Sequence, residues 1–453
     1  MTAPSPPPVP SRGGRARGLA RRLADLGMAW VLAGLCVLFS LLTFAEQQPD
    51  GAAAGAALAA DVLAACPAGA RVLVAVRDRP EEGALAETLV ERLRGGGAEV
   101  VAVVTGEPRD ARAALERLAA LAPPGLDAVA GSAASTGWGV FADLAADFPA
   151  LGDPVVLRPR AYRWPNFLKP ENLLNIANQI AVIAILAVGM TVVIVTGGID
   201  LSVGSLIALA SVVTALVVRD VFGGVAAGTG GMVAAGIAGV AVGALAGAVS
   251  GGVIVAFGIP PFIATLAMML VAGGAASMLA RGESVYQLPD SFVWLGRGAD
   301  LGIPNAVALT LLLYALAHFA MTRMTFGRHV LAVGGNREAA RLSGVPVAAT
   351  TLAAYVLSGA LAALGGVVMA SQLKSGSPNF GQMYELYVIA AVVVGGTSLS
   401  GGEGSMLGTL VGALVIAVIQ NGMNLLGIES YTQRVVLGAV ILGAVLLDRL
   451  RRR

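Results

Sequence analysis

The stretch TGGIDLSVGS, residues 196–205, interrupts a long apolar sequence. The apolar run MTVVIV precedes it, and the apolar run LIALASVVTALVV follows it. Gly197 and Gly198 can adopt the left-handed conformation that closes a helix at its carboxyl end. Asp200 and Ser202 carry side chains that cap the free N–H groups of a helix start. The pattern therefore predicts two apolar helices joined by a capped break.

A polar break of this kind constrains where it can lie. Unsatisfied backbone groups at membrane depth must face protein or a water-filled cavity. An aspartate at the centre of a bilayer costs roughly 2.5–3.5 kcal/mol on insertion scales. Asp200 therefore either caps a turn at the membrane surface or lines a polar pathway, and both interpretations require a bundle of membrane helices.

The composition of the whole chain is that of a polytopic membrane protein. Of its 453 residues, 56% are hydrophobic and 13% are charged, and the mean hydropathy is +0.78. A soluble protein carries roughly 25% charged residues. The net charge of +2 provides no basic surface for nucleic acid. The two cysteines, Cys36 and Cys66, lie in regions of different character, and no disulfide is inferred.

Apolar runs predict about ten transmembrane helices. Residues 1–26 are predicted to be a disordered cytoplasmic tail, and residues 27–45 the first span. A cleaved signal peptide is the alternative, but the run exceeds the roughly 7–15 apolar residues of such a peptide. The other nine spans fall within residues 171–448, at about 175–196, 203–219, 230–255, 261–280, 303–321, 350–371, 386–399, 405–425 and 430–447.

Arginine placement predicts the orientation of these spans. Arginines are concentrated in the N-terminal tail, in the loop 322–349 and at the C-terminus, as Arg12, Arg15, Arg17, Arg21, Arg22, Arg323, Arg328, Arg337, Arg341, Arg449, Arg451, Arg452 and Arg453. Ten spans place all three segments on one side, which the positive-inside rule makes cytoplasmic. Both termini are then cytoplasmic, and residues 46–165 lie outside.

Residues 46–165 have the alternating pattern of a soluble α/β domain. Strands are predicted at 70–76, 99–106 and 126–132, and the segments between them carry leucines at helical spacing. Such alternation favours a parallel sheet with crossover helices. The predicted fold class is therefore an α-helical polytopic membrane protein, with some helices broken and an inserted extracytoplasmic α/β domain.

Three long stretches carry a resemblance to a known family. NLLNIANQIAVIAILAVGMTVVIVTGGIDLSVGSLIAL (172–209) resembles the signature of ABC-importer permeases for ribose, xylose and related simple sugars. GRHVLAVGGNREAARLSGV (327–345) resembles their cytoplasmic loop, whose coupling helix docks on the ATP-hydrolysing subunit, and residues 384–428 resemble their late membrane segment. The resemblance covers residues 171–450 and the first span. Where the family usually has an acidic residue this chain has Tyr387, with Glu385 nearby.

The resemblance implies a permease that moves a pentose, a hexose or a similar small polar solute across the bacterial inner membrane. It implies a homodimer in the lipid bilayer, two ATPase partners and a separate periplasmic binding protein. The candidate pathway residues are Gly197, Gly198, Asp200, Ser202, Asn178, Gln179, Glu385 and Asn421, and the candidate coupling residues are Arg337, Glu338, Ala339, Ala340 and Arg341. The amides can alternatively form interhelical hydrogen bonds, and the loop can be a solvated segment that sets topology.

The sequence lacks the motifs of an enzyme or a metal site. It has no G-x-x-x-x-G-K-[ST] phosphate loop, so ATP must be bound and hydrolysed by a partner subunit and no cofactor is expected. His318 and His329 form neither H-E-x-x-H nor a nucleophile–base pair. A secondary transporter is the nearest alternative, and would need paired intramembrane acids and inverted repeats.

The inserted domain resembles one lobe of a periplasmic sugar-binding protein. That family has Asn-Asp at the end of the third strand, where this chain has Gly131-Ser132-Ala133-Ala134. A single lobe cannot close over a sugar. Arg77 and Arg79 either contact a ligand or are simply solvated. The domain is interpreted as a docking or regulatory platform; a membrane receptor is a further alternative, opposed by the absence of a cytoplasmic signalling domain.

Overall fold

The computed structural model describes residues 27–121, 125–300 and 302–451. The predicted tail, residues 1–26, lies outside the described residues. The chain divides into two compact units. The α/β unit comprises Phe44–Pro165, and the helical unit comprises the residues before and after it.

Both units contain helices of six or more residues. In chain order the described ones are α1 Gly27–Leu42, α2 Gly51–Ala65, α3 Pro80–Gly95, α4 Pro108–Ala119, α5 Pro170–Val195, α6 Val203–Leu216, α7 Thr229–Phe257, α8 Pro261–Ala280, α9 Asn305–Arg323, α10 Thr325–Gly335, α11 Arg337–Leu342, α12 Val347–Leu373, α13 Tyr384–Val394, α14 Met406–Leu425 and α15 Ser430–Arg451.

Seven of the described helices are long and apolar enough to cross a membrane. These are α5, α6 with its π-helical continuation to Val221, α7, α8, α9, α12 and α14. The apolar helices α1 and α13 are shorter, with 16 and 11 residues. The prediction of about ten spans is therefore not matched by this count, and the remaining three stay a prediction.

Helices α5 and α12 lie in the core of the helical unit. Every residue of α5 from Ile180 to Val195 is buried. Helix α12 packs against α5, α6 and α7. Where it meets α7 both helices have small residues, and a Cβ on Gly243 would lie 2.5 Å from the Gly359 carbonyl oxygen. Close backbone approach through glycines is a usual mode of helix association in membranes.

The outer helices expose apolar side chains. Ile237 and Leu245 on α7, Leu270 on α8 and Leu312 on α9 are each more than half exposed. Exposed aliphatic side chains along long apolar helices are typical of a surface that faces lipid hydrocarbon. The helical unit therefore has the surface of a membrane protein.

The α/β unit is built on a parallel sheet. Its strands are β1 Phe44–Gln47, β2 Arg71–Val76, β3 Glu99–Thr105, β4 Ala128–Gly131, β5 Val155–Leu157 and β6 Tyr162–Pro165. The order β3-β2-β4-β5 is parallel throughout, and β1 pairs antiparallel with β6. Helices α2 and α3 cover one face and α4 the other, because the leucines at helical spacing lie in two separate buried clusters. Strand β5 and the β1–β6 pair were not predicted.

The chain leaves and re-enters the helical unit at one place. The Asn166 N–H donates to the Thr43 carbonyl oxygen at 2.9 Å, and the Phe167 N–H donates to the Thr43 hydroxyl at 3.1 Å. The Phe39 and Phe167 rings stack with centroids 6.1 Å apart. The residues on either side of the α/β unit are therefore fastened to each other within the helical unit.

Three glycine-rich segments meet at the carboxyl end of α5. The Gly402 N–H donates to the Val195 carbonyl oxygen at 2.9 Å. A Cβ on Gly334 would collide with that same oxygen and lie 2.5 Å from the Gly402 nitrogen. Gly401 packs against both Gly197 and Gly334. We call this contact the glycine junction, comprising Val195–Gly198, Gly334–Gly335 and Gly401–Gly402.

The glycine junction predicts a large difference between two neighbouring substitutions. Gly334→Ala should destabilise the protein by roughly 1–3 kcal/mol or more, because the methyl group displaces backbone rather than a flexible side chain. Gly335→Ala is the matched control, since a Cβ there meets nothing within 4 Å. Thermal unfolding of the two purified variants measures the difference, and equal melting temperatures would contradict the packing described.

Candidate functional site

A polar cleft lies where α5 begins. It has a volume of about 590 Å³ and is lined by Asn172, Asn175, Asn178, Gln179, Arg297, Gln372 and Asn421. Four of these side chains come from α5, where their spacing of three, three and one places them along one helix face. We call this group the amide cleft. It brings together Asn178, Gln179 and Asn421 from the predicted pathway residues.

Hydrogen bonds hold part of the amide cleft in place. The side-chain amides of Asn172 and Asn421 donate to each other's oxygens, at 3.1 and 2.8 Å. The Gln372 Nε2 group donates to the Asn178 carbonyl oxygen at 3.1 Å, and the Arg297 Nε–H donates to the Gln372 carbonyl oxygen. Each amide offers both donors and acceptors. Such a lining suits a neutral solute that carries several hydroxyl groups.

The TGGIDLSVGS stretch lies at the opposite end of α5. Gly197 has φ +81°, and the Gly198 N–H donates to the Val193 carbonyl oxygen at 3.1 Å. This arrangement closes a helix through one left-handed residue. The expectation that both glycines take that conformation is wrong for Gly198. A side chain there would instead collide with the Tyr355 hydroxyl, so Gly198 permits a close approach of two elements.

Asp200 is buried within this turn and accepts three hydrogen bonds. Its Oδ1 accepts from the Ser202 N–H at 3.0 Å and from the Ser202 hydroxyl at 2.6 Å. Its Oδ2 accepts from the Ser358 hydroxyl of α12 at 2.8 Å, and the residue is 1% exposed. The predicted capping role of Ser202 is wrong in detail, because its side chain makes no cap bond to α6 and donates to Asp200 instead. Asp200 therefore fastens the turn to α12.

The eight predicted pathway residues do not form one group. From Asn178 to the end of α5 the helix rises roughly 26 Å, at 1.5 Å per residue. The amide cleft and the Asp200 turn therefore lie at the two ends of α5. Glu385 lies in the first turn of α13 against Gly204 of α6, and so beside the TGGIDLSVGS stretch rather than in the amide cleft.

The predicted coupling residues form α11. Asn336 caps this helix, since its side-chain oxygen accepts from the Ala339 N–H at 2.9 Å. Ala340 is buried, whereas Glu338 and Arg341 form an ion pair on the exposed side. Leu342 is 80% exposed and so projects an apolar side chain outward. At the inner side, Arg337 Nη2 donates to the Thr351 hydroxyl of α12 at 3.4 Å.

Comparison with known proteins assigns the helical unit to a protein family. Residues 172–445 match the family described as the permease component of the branched-chain amino acid transport system. The chain belongs to this family of transport permeases. Its members are transporters and not enzymes.

Relatives of this permease include named sugar importers. It is 44% identical over 289 residues to the ribose import permease of Escherichia coli, an alignment that covers 63% of this chain and 87% of the relative. It is 46% identical over 288 residues to the ribose import permease of Bacillus subtilis, with the same two coverages. It is 40% identical over 292 residues to the L-arabinose permease of Escherichia coli, covering 64% of this chain and 86% of the relative. No solved structure matches the chain.

Sequence reasoning about the permease missed the residues of α12 that meet this turn, Ser358 at Asp200 and Tyr355 at Gly198. Both are ordinary residues of an apolar helix, and no local signal marks them. A second glycine turn was also missed, although the pattern G-G-x-x-Leu-Ser occurs at both 197–202 and 395–400. The second turn has its own side-chain bond, from the Ser400 N–H to the Ser398 hydroxyl at 3.3 Å. Both turns contribute to the glycine junction or border it.

The α/β unit has a closed polar network at the carboxyl end of its sheet. Arg77 follows β2 and donates through its N–H and its Nε–H to Glu82, at 2.8 and 2.6 Å. Burial of Glu82 works to raise its pKa, but hydrogen bonds from Arg77 and Ser132 and the charge of Arg77 outweigh it and hold the pKa below its ordinary value. Ser132 and Ser135 are buried beside each other. Arg77 was one of two arginines that the sequence suggested as ligand contacts. Its side chain is instead paired with Glu82 of the same unit.

The described residues contain no group of three or more His, Cys, Asp or Glu side chains that could hold a metal ion.

The hydrogen bonds of Asp200 predict how its variants differ in stability. Asp200→Ala should lower stability by roughly 1–3 kcal/mol, because it leaves buried donors of Ser202 and Ser358 without an acceptor. Asp200→Asn should cost less, because its oxygen can accept from Ser202 while the Ser358 hydroxyl turns to accept from the new amide. Thermal unfolding of the purified permease measures both. An Asn variant as unstable as the Ala variant would show that the charge itself is required.

Proposed function

We propose that this permease is the membrane subunit of an ATP-binding-cassette importer for a simple sugar, a pentose, a hexose or a similar polyol. The observation that carries the proposal is the pairing of two sites on one bundle. The amide cleft lies at one end of α5, and the α11 helix lies at the other end beside the glycine junction. The names of the ribose and arabinose relatives support the same solute class.

The amide cleft is proposed as one mouth of the solute pathway. Its lining is polar, and Arg297 is its only ionisable side chain. Sugar hydroxyls donate and accept hydrogen bonds, as asparagine and glutamine side chains do. The Gln179 side chain lines the cleft from the same face of α5 as Asn172 and Asn175. The Asp200 turn is proposed to act on the pathway from its far end rather than as its mouth.

Arginine distribution supports an orientation for this pathway. The loop 322–349, which holds α11, carries four of the arginines counted above, and the positive-inside rule makes its side cytoplasmic. The amide cleft and the residues that flank the α/β unit then lie on the outer side. The α/β unit is accordingly proposed to be extracytoplasmic, with both termini in the cytoplasm and α1, α13 and α15 as the remaining spans.

The partners follow from this orientation. We expect α11 to dock on an ATPase subunit through Leu342 and the Glu338–Arg341 pair, which face outward from the buried Ala340. Two permease copies with two ATPases, and a binding protein that delivers sugar at the amide cleft, complete the proposed assembly. The secondary-transporter alternative lacks support, because the hydrogen bonds of Asp200 go to Ser202 and Ser358 and none joins it to Glu385.

The proposed solute pathway predicts a defect for Gln179→Ala. ATP-dependent uptake of ribose or arabinose into vesicles that contain the whole transporter should fall roughly 3- to 10-fold, the worth of one hydrogen bond to the solute. Gln420→Ala on α14 is the control, because this neighbour of Asn421 does not line the cleft. Uptake unchanged by Gln179→Ala, or reduced equally by both substitutions, would contradict the role proposed for the cleft.

The proposed orientation predicts opposite labelling of two sites. Cysteines replace Glu116 on α4 or Leu342 on α11, both exposed, in a background without Cys36 and Cys66. In spheroplasts a membrane-impermeant maleimide should label the residue 116 variant, and the residue 342 variant only after the membrane is opened. Protection of position 116 in intact spheroplasts would overturn the orientation.

A further inference from the structure

The Tyr355 hydroxyl is a buried donor for which the described residues provide no acceptor. The residue is 1% exposed, and its hydroxyl forms no hydrogen bond within the described part of the chain. It lies against Gly198, in the turn that also contains Asp200. Buried hydroxyl groups are almost always paired, because an unpaired one loses its bonds to water without replacement. The burial of this unpaired hydroxyl therefore indicates a second conformation in which it has an acceptor.

Asp200 is the acceptor within that turn. Ser358, three residues after Tyr355, donates to its Oδ2, and both residues lie on one face of α12. A carboxylate is an acceptor only, and the single hydrogen bond to Asp200 from α12 comes from Ser358. One helix face thus presents two hydroxyl donors to a turn that holds one carboxylate. Ser358 occupies it in this conformation, and Tyr355 does not.

The same face of α12 reaches the coupling helix. Thr351 lies one turn before Tyr355 and accepts the hydrogen bond from Arg337, the first residue of α11. A displacement of α11 therefore acts directly on the segment of α12 that carries both donors. Tyr355 and Ser358 differ by roughly 4.5 Å in rise, three residues at 1.5 Å each. A shift or rotation of α12 by less than one turn is enough to exchange them.

We propose that Asp200 is the fixed acceptor of a two-position latch on α12, with Ser358 bound in the present conformation and Tyr355 bound in an alternative conformation of the transport cycle. Both are positioning residues, which act on the solute pathway through the Asp200 turn. The role of the latch in transport rests on the proposed function. The competition of Tyr355 and Ser358 for Asp200 does not. Elements that have two discrete packings are the usual basis of such switching.

A stability experiment tests the latch without any partner or substrate. In the unaltered permease Tyr355→Phe should leave the melting temperature unchanged or raise it, because the hydroxyl has no partner in the part of the chain that the structure describes. In a Ser358→Ala background Tyr355 becomes the donor to Asp200, so the same Tyr355→Phe substitution should lower the melting temperature. Ser358→Thr should behave like the unaltered protein. Strictly additive effects of Tyr355→Phe and Ser358→Ala would overturn the latch.

A transport experiment tests the same exchange during turnover. With the permease, its ATPase and its binding protein in vesicles, Tyr355→Phe should reduce the kcat of ribose uptake at least about tenfold and leave KM unchanged, because it removes a hydrogen bond to a charged acceptor in one state of the cycle. The matched control is Tyr314→Phe on α9, which removes another buried hydroxyl without a partner in the described residues. Tyr314→Phe should transport normally.

The outcomes separate the latch from the proposed function. Unaltered permease that takes up sugar, together with normal turnover of Tyr355→Phe, overturns the latch alone. An equal loss in Tyr314→Phe also overturns it, because any buried hydroxyl would then have the same effect. Unaltered permease that moves no sugar with its partners overturns the proposed function, and the stability experiment still decides whether Tyr355 and Ser358 compete for Asp200.

Discussion

The carbonyl oxygen of Val195 is the point on which the helical unit depends. A helix that ends inside an apolar bundle leaves its last carbonyl groups without intrahelical partners, and each must find a donor in the protein. The Val195 oxygen receives the Gly402 N–H, and the backbone of Gly334 packs directly against it. Only glycines allow three backbones to approach so closely. Because this one carbonyl oxygen needs a donor, the end of α5 is joined to the segment before α11 and to the turn after α13.

This convergence explains the separation of roles along the molecule. Helix α5 is buried over most of its length and carries amides at its start and the glycine turn at its end. Helix α12 runs beside it, and binds Asn178 through Gln372 at its carboxyl end and Asp200 through Ser358 near its middle. Two buried helices therefore connect a polar cleft to the segment that leads into α11. Among the outer helices, α8 also contacts the Asp200 turn, because the Thr265 hydroxyl donates to the Ile199 carbonyl oxygen at 3.2 Å.

The sequence predicted the local features of this arrangement better than its long-range contacts. Apolar length located the seven long helices, and Gly197 marked the end of α5, because these signals depend on neighbouring residues. Ser202 was assigned a capping role that it does not have, since Asp200 captures its hydroxyl. The bond from Ser358 to Asp200 joins residues 158 positions apart and leaves no local trace. Short edge strands such as β5 were missed for a similar reason, because pairing rather than composition defines them.

The junction between the two units has a consequence for how such a chain can vary. Thr43 and Asn166 are hydrogen-bonded neighbours, and the first residues beyond them, Phe44 and Pro165, pair across β1 and β6. Paired strands lie roughly 5 Å apart, so the 122 residues from Phe44 to Pro165 span a gap that a tight hairpin would also bridge. The helical unit can consequently accept an inserted domain between Thr43 and Asn166. A differently folded module with adjacent termini would fit the same position without any change to the order of the membrane helices.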